Sequence, residues 1–181
     1  MGELLATKKL LLIRMATLED LGSITEIYNE AVVHSFASFD ITPKTVEEQQ
    51  VWFSDHDSGH PVLVAEEDRA VEGWASLSKW SDRCAYSGAA EVSLYVRKES
   101  RGRGIGRKLL RAIVEKGQEV GLHTVIARIV EGNRASISLF ESEEFENVGL
   151  MKEVGCKFGR LLNVYIMQKI YGTQPGQEAK P

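Results

Sequence analysis

Between positions 101 and 107 the chain reads Arg101-Gly102-Arg103-Gly104-Ile105-Gly106-Arg107, three glycines and three arginines in seven residues. Glycine takes positive φ without penalty and lets bare N–H groups come close to a ligand, and the positive end of a helix dipole favours anions. The chemistry open to such a segment is the cradling of a phosphate. Its spacing excludes two common phosphate loops. A dinucleotide fingerprint needs a glycine three places after Gly104, where Arg107 stands, and a P-loop needs Gly-Lys-Ser/Thr, which is absent.

A phosphate cradle needs a strand before it and a helix after it, and both are legible. Positions 91–96 alternate and are rich in β-formers, whereas from Ile105 the apolar residues recur at helical spacing, as Ile105, Leu109, Ile113 and as Leu110, Val114. Around this centre lie 181 residues, 43% hydrophobic, with a formal charge of −4. That length suits one α/β domain with a proper core, expected over 1–171, with a polar tail at 172–181 expected to be disordered. An acidic chain argues against general nucleic-acid binding, so the basic residues of 97–111 form a local patch suited to a polyanionic small molecule. Two cysteines, Cys84 and Cys156, show no metal spacing and point to a reducing compartment. No membrane span or signal-peptide core is evident, which leads to the expectation of a cytoplasmic protein.

In chain order, 10–13 reads as a first strand, and Thr17 caps a helix that carries an apolar stripe to about His34. Thr45 with Glu48 forms a capping box that opens a second helix. Strands at 61–65 and 71–80 flank the polar turn 66–69 and should pair antiparallel. After the strand at 91–96 and its helix, which stops near Gly121, come a strand at 123–130 and a helix from Asn133 to about Phe145. Strands at 146–154 and 158–168, turning around Gly155, complete the order βααβββαβαββ.

The segment Arg101-x-x-Gly104-x-Gly106 after a strand resembles the coenzyme A pyrophosphate loop of the GCN5-related N-acetyltransferases (GNAT), and the element order matches their fold. Further segments resemble the phosphinothricin and methionine sulfone acetyltransferase branch: Tyr28-Asn29-Glu30-Ala31, Ser35-Phe36, 61–65, Gly73-Trp74-Ala75-Ser76-Leu77-Ser78, Arg83-x-x-Tyr86, 91–96 and Asn133-x-x-Ser136-Ile137. The resemblance implies an α/β fold of mixed, mostly antiparallel sheet, about seven strands flanked by about four helices, with splayed central strands. It implies acetyl-CoA as co-substrate, no metal, a small-molecule amine as acceptor and a homodimer joined through the late strands.

It also implies roles. Leu94, Tyr95 and Val96 hold the pantetheine arm, Arg101, Gly102, Arg103, Gly104, Ile105, Gly106 and Arg107 hold pyrophosphate, and Asn133 contacts the arm. Glu91 is the general base, acting through water, and a backbone N–H near Leu94 or Tyr95 receives the oxyanion. Phe36, Trp74, Arg83 and Tyr86 face the acceptor, Arg83 as a fork for a carboxylate or phosphinate. Five of these positions have a structural alternative: a salt-bridged strand-end glutamate at 91, a plain helix cap at 133, a solvated loop charge at 83, core aromatics at 36 and 74.

The chain departs from the branch in its last helix, where Leu139-Phe140-Glu141 replaces Leu-His-Glu. Protonation of the leaving thiolate then falls to water, Ser138 or Ser142. Glu144 stands where relatives have a glycine, a costly exchange if the backbone there is left-handed. Gly159-Arg160-Leu161-Leu162 replaces a tryptophan-bearing segment. These departures leave open a polyamine or protein amine as acceptor, or a coenzyme A-binding sensor without turnover.

Overall fold

The computed structural model describes residues 10–172, so the expected tail beyond Gly172 lies outside the described residues. Seven strands, β1 (Leu11–Met15), β2 (Val62–Glu67), β3 (Ala70–Lys79), β4 (Ala89–Val96), β5 (Thr124–Val130), β6 (Glu146–Lys157) and β7 (Arg160–Ile170), form one sheet in the order β1-β2-β3-β4-β5-β7-β6. All neighbours pair antiparallel except β4 and β5, which run parallel. The helices are α1 (Leu21–His34), α2 (Val46–Ser54), α3 (Ile105–Glu119) and α4 (Arg134–Glu141), as the sequence order requires.

Strand alternation sorts the core into two faces. Leu63, Ala65, Ala75, Leu77 and Val92 pack under α3 with Ile105, Leu109, Leu110 and Ile113. Val62, Val64, Val71 and Trp74 pack under α1 with Leu21, Ile24 and Ile27. Leu109, Leu110 and Ile113 are wholly buried, each contributing about 1.5–3 kcal/mol of burial. Gly73 in β3 permits this contact, because a Cβ there would lie 2.8 Å from the Tyr95 carbonyl oxygen and 3.1 Å from Leu109.

The termini of the helices follow local chemistry. Thr45 accepts a hydrogen bond from the Glu48 amide while Glu48 accepts from Thr45 N–H at 2.8 Å, the expected capping box of α2. At the start of the first helical segment, Asp20 accepts from the Thr17 amide and is held by both Arg14 Nη atoms, at 2.7 and 2.8 Å. The guanidinium keeps the Asp20 carboxyl below the usual carboxylate range.

Three boundaries differ from the sequence expectation. The β2–β3 turn contracts from 66–69 to Asp68 and Arg69, both at positive φ, because a two-residue hairpin of the right twist demands it. The last hairpin turns at Phe158 and Gly159, not around Gly155. Gly155 lies inside β6, where the register jumps between Met151 and Gly155, and its missing side chain makes room for the Phe39 ring. Helix α4 stops at Glu141 rather than near Phe145, and Glu144 then adopts φ 66°, the left-handed conformation that makes glutamate costly there.

Candidate active site

The site is a gap in the sheet. β4 and β5 pair only at Ala89–Thr124, Ala90–Val125 and Glu91–Ile126, and then diverge. Two hydrogen bonds fix which amides face the opening: Arg97 donates to the Glu72 carbonyl at 2.8 Å and Trp80 to the Ala89 carbonyl at 3.3 Å, both across β3–β4. By the alternation of an antiparallel ladder, odd-numbered β4 residues bond β3. Even-numbered β4 amides therefore face β5; that of Val92 is still within the last pairing, opposite Ile126, and those of Leu94 and Val96 aim at the gap without a partner strand. Of the Val96 carbonyl the Arg101 Nε makes use at 3.0 Å; the free edge centres on Leu94.

Two cavities open from this gap. A groove of about 890 Å³ is lined by Leu94, Tyr95, Val96, Arg101, Gly102, Gly104, Ile105, Gly106, Arg107, Asn133 and Ser138 among others. At its base Gly104 takes φ 80° as the N-cap of α3, and the bond from Lys108 N to the Gly104 carbonyl closes the first helical turn. The Ile105, Gly106 and Arg107 amides precede that bond and have no intrahelical acceptor, which makes an anion-binding end. The loop arginines are not equivalent. Arg103 turns away and donates from Nη2 to both Glu67 oxygens, at 2.8 and 2.7 Å, and Arg101 pairs with Glu30, whereas Arg107 is exposed on the groove wall. Arg103 thus braces the loop from outside. Free strand amides for a pantetheine arm and an N–H cluster for pyrophosphate fit coenzyme A.

The second cavity, about 370 Å³, lies toward the β5–β6 side and is lined by Glu91, Ser93, Arg128, Tyr28, Asp40 and Phe140 among others. Arg128 reaches across the mouth of the diverging strands and holds both Glu91 oxygens, Nε at 2.6 Å and Nη2 at 2.7 Å. This charge-assisted fork raises the guanidinium pKa further. Tyr28 donates to Asp40 at 2.7 Å and accepts from Ser38 at 2.9 Å, and burial pushes its phenol up to about 12. It stays a donor at neutral pH. The two cavities share Ala37, Leu94, Tyr95, Val130, Asn133 and Ser136.

A short strap between α1 and α2 roofs the junction. Lys157, itself buried, donates Nζ to the Ser38 carbonyl at 2.7 Å; Tyr95 Oη donates to the Ala37 carbonyl at 3.3 Å. Desolvation draws the Lys157 ammonium below its ordinary value. Phe36 packs edge-on against Phe158, with ring centroids 5.3 Å apart, while Phe39 covers Gly155.

The residues singled out in the sequence therefore distribute unevenly. Glu91, Leu94, Tyr95, Val96, Arg101, Gly102, Gly104, Ile105, Gly106, Arg107 and Asn133 meet around the gap, Asn133 also capping α4 by accepting from the Ser136 amide at 3.2 Å. Phe36 lines the groove and not the second cavity. Trp74 is 2% exposed and sits in the core with Trp52 and Tyr95; it reaches only a third hollow of about 300 Å³. Arg83 and Tyr86 stand exposed beside a single 3-10 turn and line none of these cavities. Ser142 spends its hydroxyl on the Leu139 carbonyl at 2.7 Å, outside the groove. Arg128, Tyr28 and Asp40 were not singled out for the site; a lone arginine in a β-rich run carries no signal of the glutamate it will meet on the neighbouring strand.

Residues 23–145 match the model of the acetyltransferase (GNAT) family. The chain is 41% identical over 158 residues to an L-methionine sulfoximine/L-methionine sulfone acetyltransferase of Pseudomonas aeruginosa, covering 86% of this chain and 92% of that one. A phosphinothricin acetyltransferase from Sinorhizobium meliloti, solved in complex with acetyl-CoA, superposes with a TM-score of 0.88 at 38% identity over 93% of this chain and 92% of its own. A ribosomal-protein-alanine N-acetyltransferase from Brucella melitensis gives 0.86 at 42% identity over 88% and 99%. With the free β4 edge, the glycine loop and these relatives in agreement, the chain belongs to the acetyltransferase (GNAT) family and is an acetyl-CoA-dependent N-acetyltransferase.

Proposed function

We propose that this enzyme acetylates the primary amine of a small amino-acid-like acceptor of the methionine sulfone, methionine sulfoximine or phosphinothricin type. The observation that carries the reading is the junction of the two cavities. An anion cradle and a free amide edge lie on one side, and a carboxylate with its guanidinium lies on the other. The names of the relatives supply the acceptor class.

In this reading the groove residues Leu94, Val96, Asn133 and 101–107 bind acetyl-CoA, Arg101 and Arg103 chiefly by bracing the loop. The co-substrate supplies the thioester. Glu91 lines the acceptor cavity and takes a proton from the incoming ammonium through water; a carboxylate oxygen held by one N–H still has lone pairs to accept with. The strand parity favours the Leu94 amide over that of Tyr95 as the oxyanion donor. Phe140 is buried against Phe145 and offers no proton, so the departing thiolate takes one from water or from Ser138, which lines the groove. Arg83 and Tyr86 are not needed.

The reading extends to a cytosolic homodimer. The exposed Val148, Val154 and Leu161 of the β6–β7 hairpin support a contact there, and sedimentation velocity tests it. Among the described residues no helix is long and apolar enough to cross a membrane.

The decisive experiment is thiol release from acetyl-CoA with methionine sulfone, methionine sulfoximine, phosphinothricin, polyamines and an alanine-starting peptide. Saturable release with one of the first three is expected. Release with the peptide or a polyamine alone sinks the amino-acid reading, and tight acetyl-CoA binding with no release favours a sensor.

A further inference from the structure

Arg128 does more in this geometry than neutralise a glutamate. Its guanidinium has five N–H donors in a fixed plane, and the contacts to Glu91 occupy one on Nε and one on Nη2. Both Nη1 donors and the second on Nη2 remain. The side chain is 54% exposed and lines the acceptor cavity beside Glu91. Among the described residues it is the one cation in that lining, which otherwise carries the carboxylates Asp40 and Glu91. The other candidate arginines are elsewhere: Arg83 on an exposed loop, Arg101 and Arg103 at the cofactor end in pairs with Glu30 and Glu67.

An α-amino acid presents an ammonium and a carboxylate on the same carbon. A glutamate and an arginine clasped to each other present the mirror of that pattern. We propose that Arg128 binds the carboxylate of the acceptor amino acid with the N–H groups that Glu91 leaves free, while Glu91 receives the neighbouring amine through the water that relays its proton. The pair thereby recognises the zwitterion and sets its amine on the gap side, close to Leu94. This inference rests on the amino-acid acceptor reading above, and it assigns acceptor selection to β5. Because Arg128 lies just past the last β4–β5 pairing position, the splay that admits the cofactor is also what leaves its side chain free to reach into the acceptor cavity.

The test compares each acceptor with its own carboxamide, which keeps the amine and shape and removes the charge. Wild-type enzyme should prefer methionine sulfone over its carboxamide by about 10- to 100-fold in kcat/KM, the range of charge-assisted hydrogen bonds. In Arg128→Gln that ratio should collapse toward one, and Arg128→Lys, which keeps the charge without the fork, should keep part of it. Acetyl-CoA affinity, measured for every variant, reports folding. If Arg128 only holds Glu91, Arg128→Gln lowers both acceptors equally and the ratio survives, which overturns the proposal. If wild-type enzyme accepts another amino acid instead, the same ratio is taken on that one. If it acetylates amines but no amino acid, the acceptor reading itself has failed and the inference falls with it, a result distinguishable from a surviving ratio.

Discussion

The two ends of the β4–β5 gap are built on different principles. In the proposed reading the working groups of the cofactor side are backbone: the amides of Leu94 and Val96 along a strand edge and those of Ile105, Gly106 and Arg107 at a helix start. On the acceptor side they are side chains drawn from separate elements, Glu91 from β4, Arg128 from β5, Tyr28 from α1 and Asp40 from the strap. A backbone site tolerates exchange of almost any side chain that respects its φ, ψ and packing. A side-chain site changes specificity with one substitution. The family can therefore keep one cofactor while its acceptors diverge; of the departures, Phe140 falls on the side free to vary, whereas Arg160 and Leu162 line the groove.

The contrast can be broken or sharpened by substitution. The largest effect is expected from Glu91→Gln, which should lower kcat by about 10²- to 10⁴-fold, the usual contribution of a general base. Acetyl-CoA affinity should hold within about twofold, since no cofactor contact is assigned to the Glu91 side chain; calorimetric titration with acetyl-CoA checks this. Comparable loss of cofactor binding would show that the two ends are not separable.

Gly73→Ala attacks the floor common to both. The added methyl meets the Tyr95 carbonyl and Leu109, an overpacking worth about 1–3 kcal/mol. Thermal unfolding should drop by roughly 3–10 °C, and cofactor affinity and acceptor kcat/KM should fall together. If only one falls, β4 is less rigid than its packing indicates.

On the cofactor side alone, Gly104→Ala has space for its methyl but must hold φ near 80°, at a cost of about 1 kcal/mol. Acetyl-CoA should bind about fivefold more weakly while the acceptor KM stays put. A shift in the carboxylate-to-carboxamide preference would contradict the separation.

The smallest expected change is in stability. Glu144→Gly relieves a left-handed glutamate and gives up an ion pair from Lys169 to a carboxylate that is 86% exposed, which contributes little. The melting temperature should rise by about 1–4 °C, with kinetics unchanged; a fall would mean that the Lys169 contact outweighs the backbone strain.

How much of this was legible beforehand follows the same division. The strand, loop and α3 were visible because their signals are local: alternation, glycine spacing and a four-residue apolar period act within a few residues. The α2 capping box and the element order were visible for the same reason, and the costly Glu144 was readable because it stands where the resembling sequences carry glycine at a helix end. The turn of the last hairpin was misplaced because a glycine marks a bulge as readily as a turn, and the contact that distinguishes them, Phe39 over Gly155, joins residues more than a hundred apart.

The acceptor side was the harder half. Trp74 drew notice as an aromatic in a motif, and only packing between β3 and the helices shows it to be core. Arg83 drew notice as a loop arginine beside a tyrosine, yet the loop carries it outside the cavities. Arg128, among β-branched neighbours in 124–130, carried no mark of its role. Its partner is fixed by the parallel register of β4 and β5 and by the point at which they part. The sequence by itself determined the element order and the anion cradle, because each is written in contiguous residues and in backbone preference; the fold those elements build and the strand proposed to serve the cofactor came through the resemblance to known acetyltransferases. Which charges face one another across the gap was decided by tertiary structure, because strand register and splay are properties of the whole sheet and no short stretch encodes them.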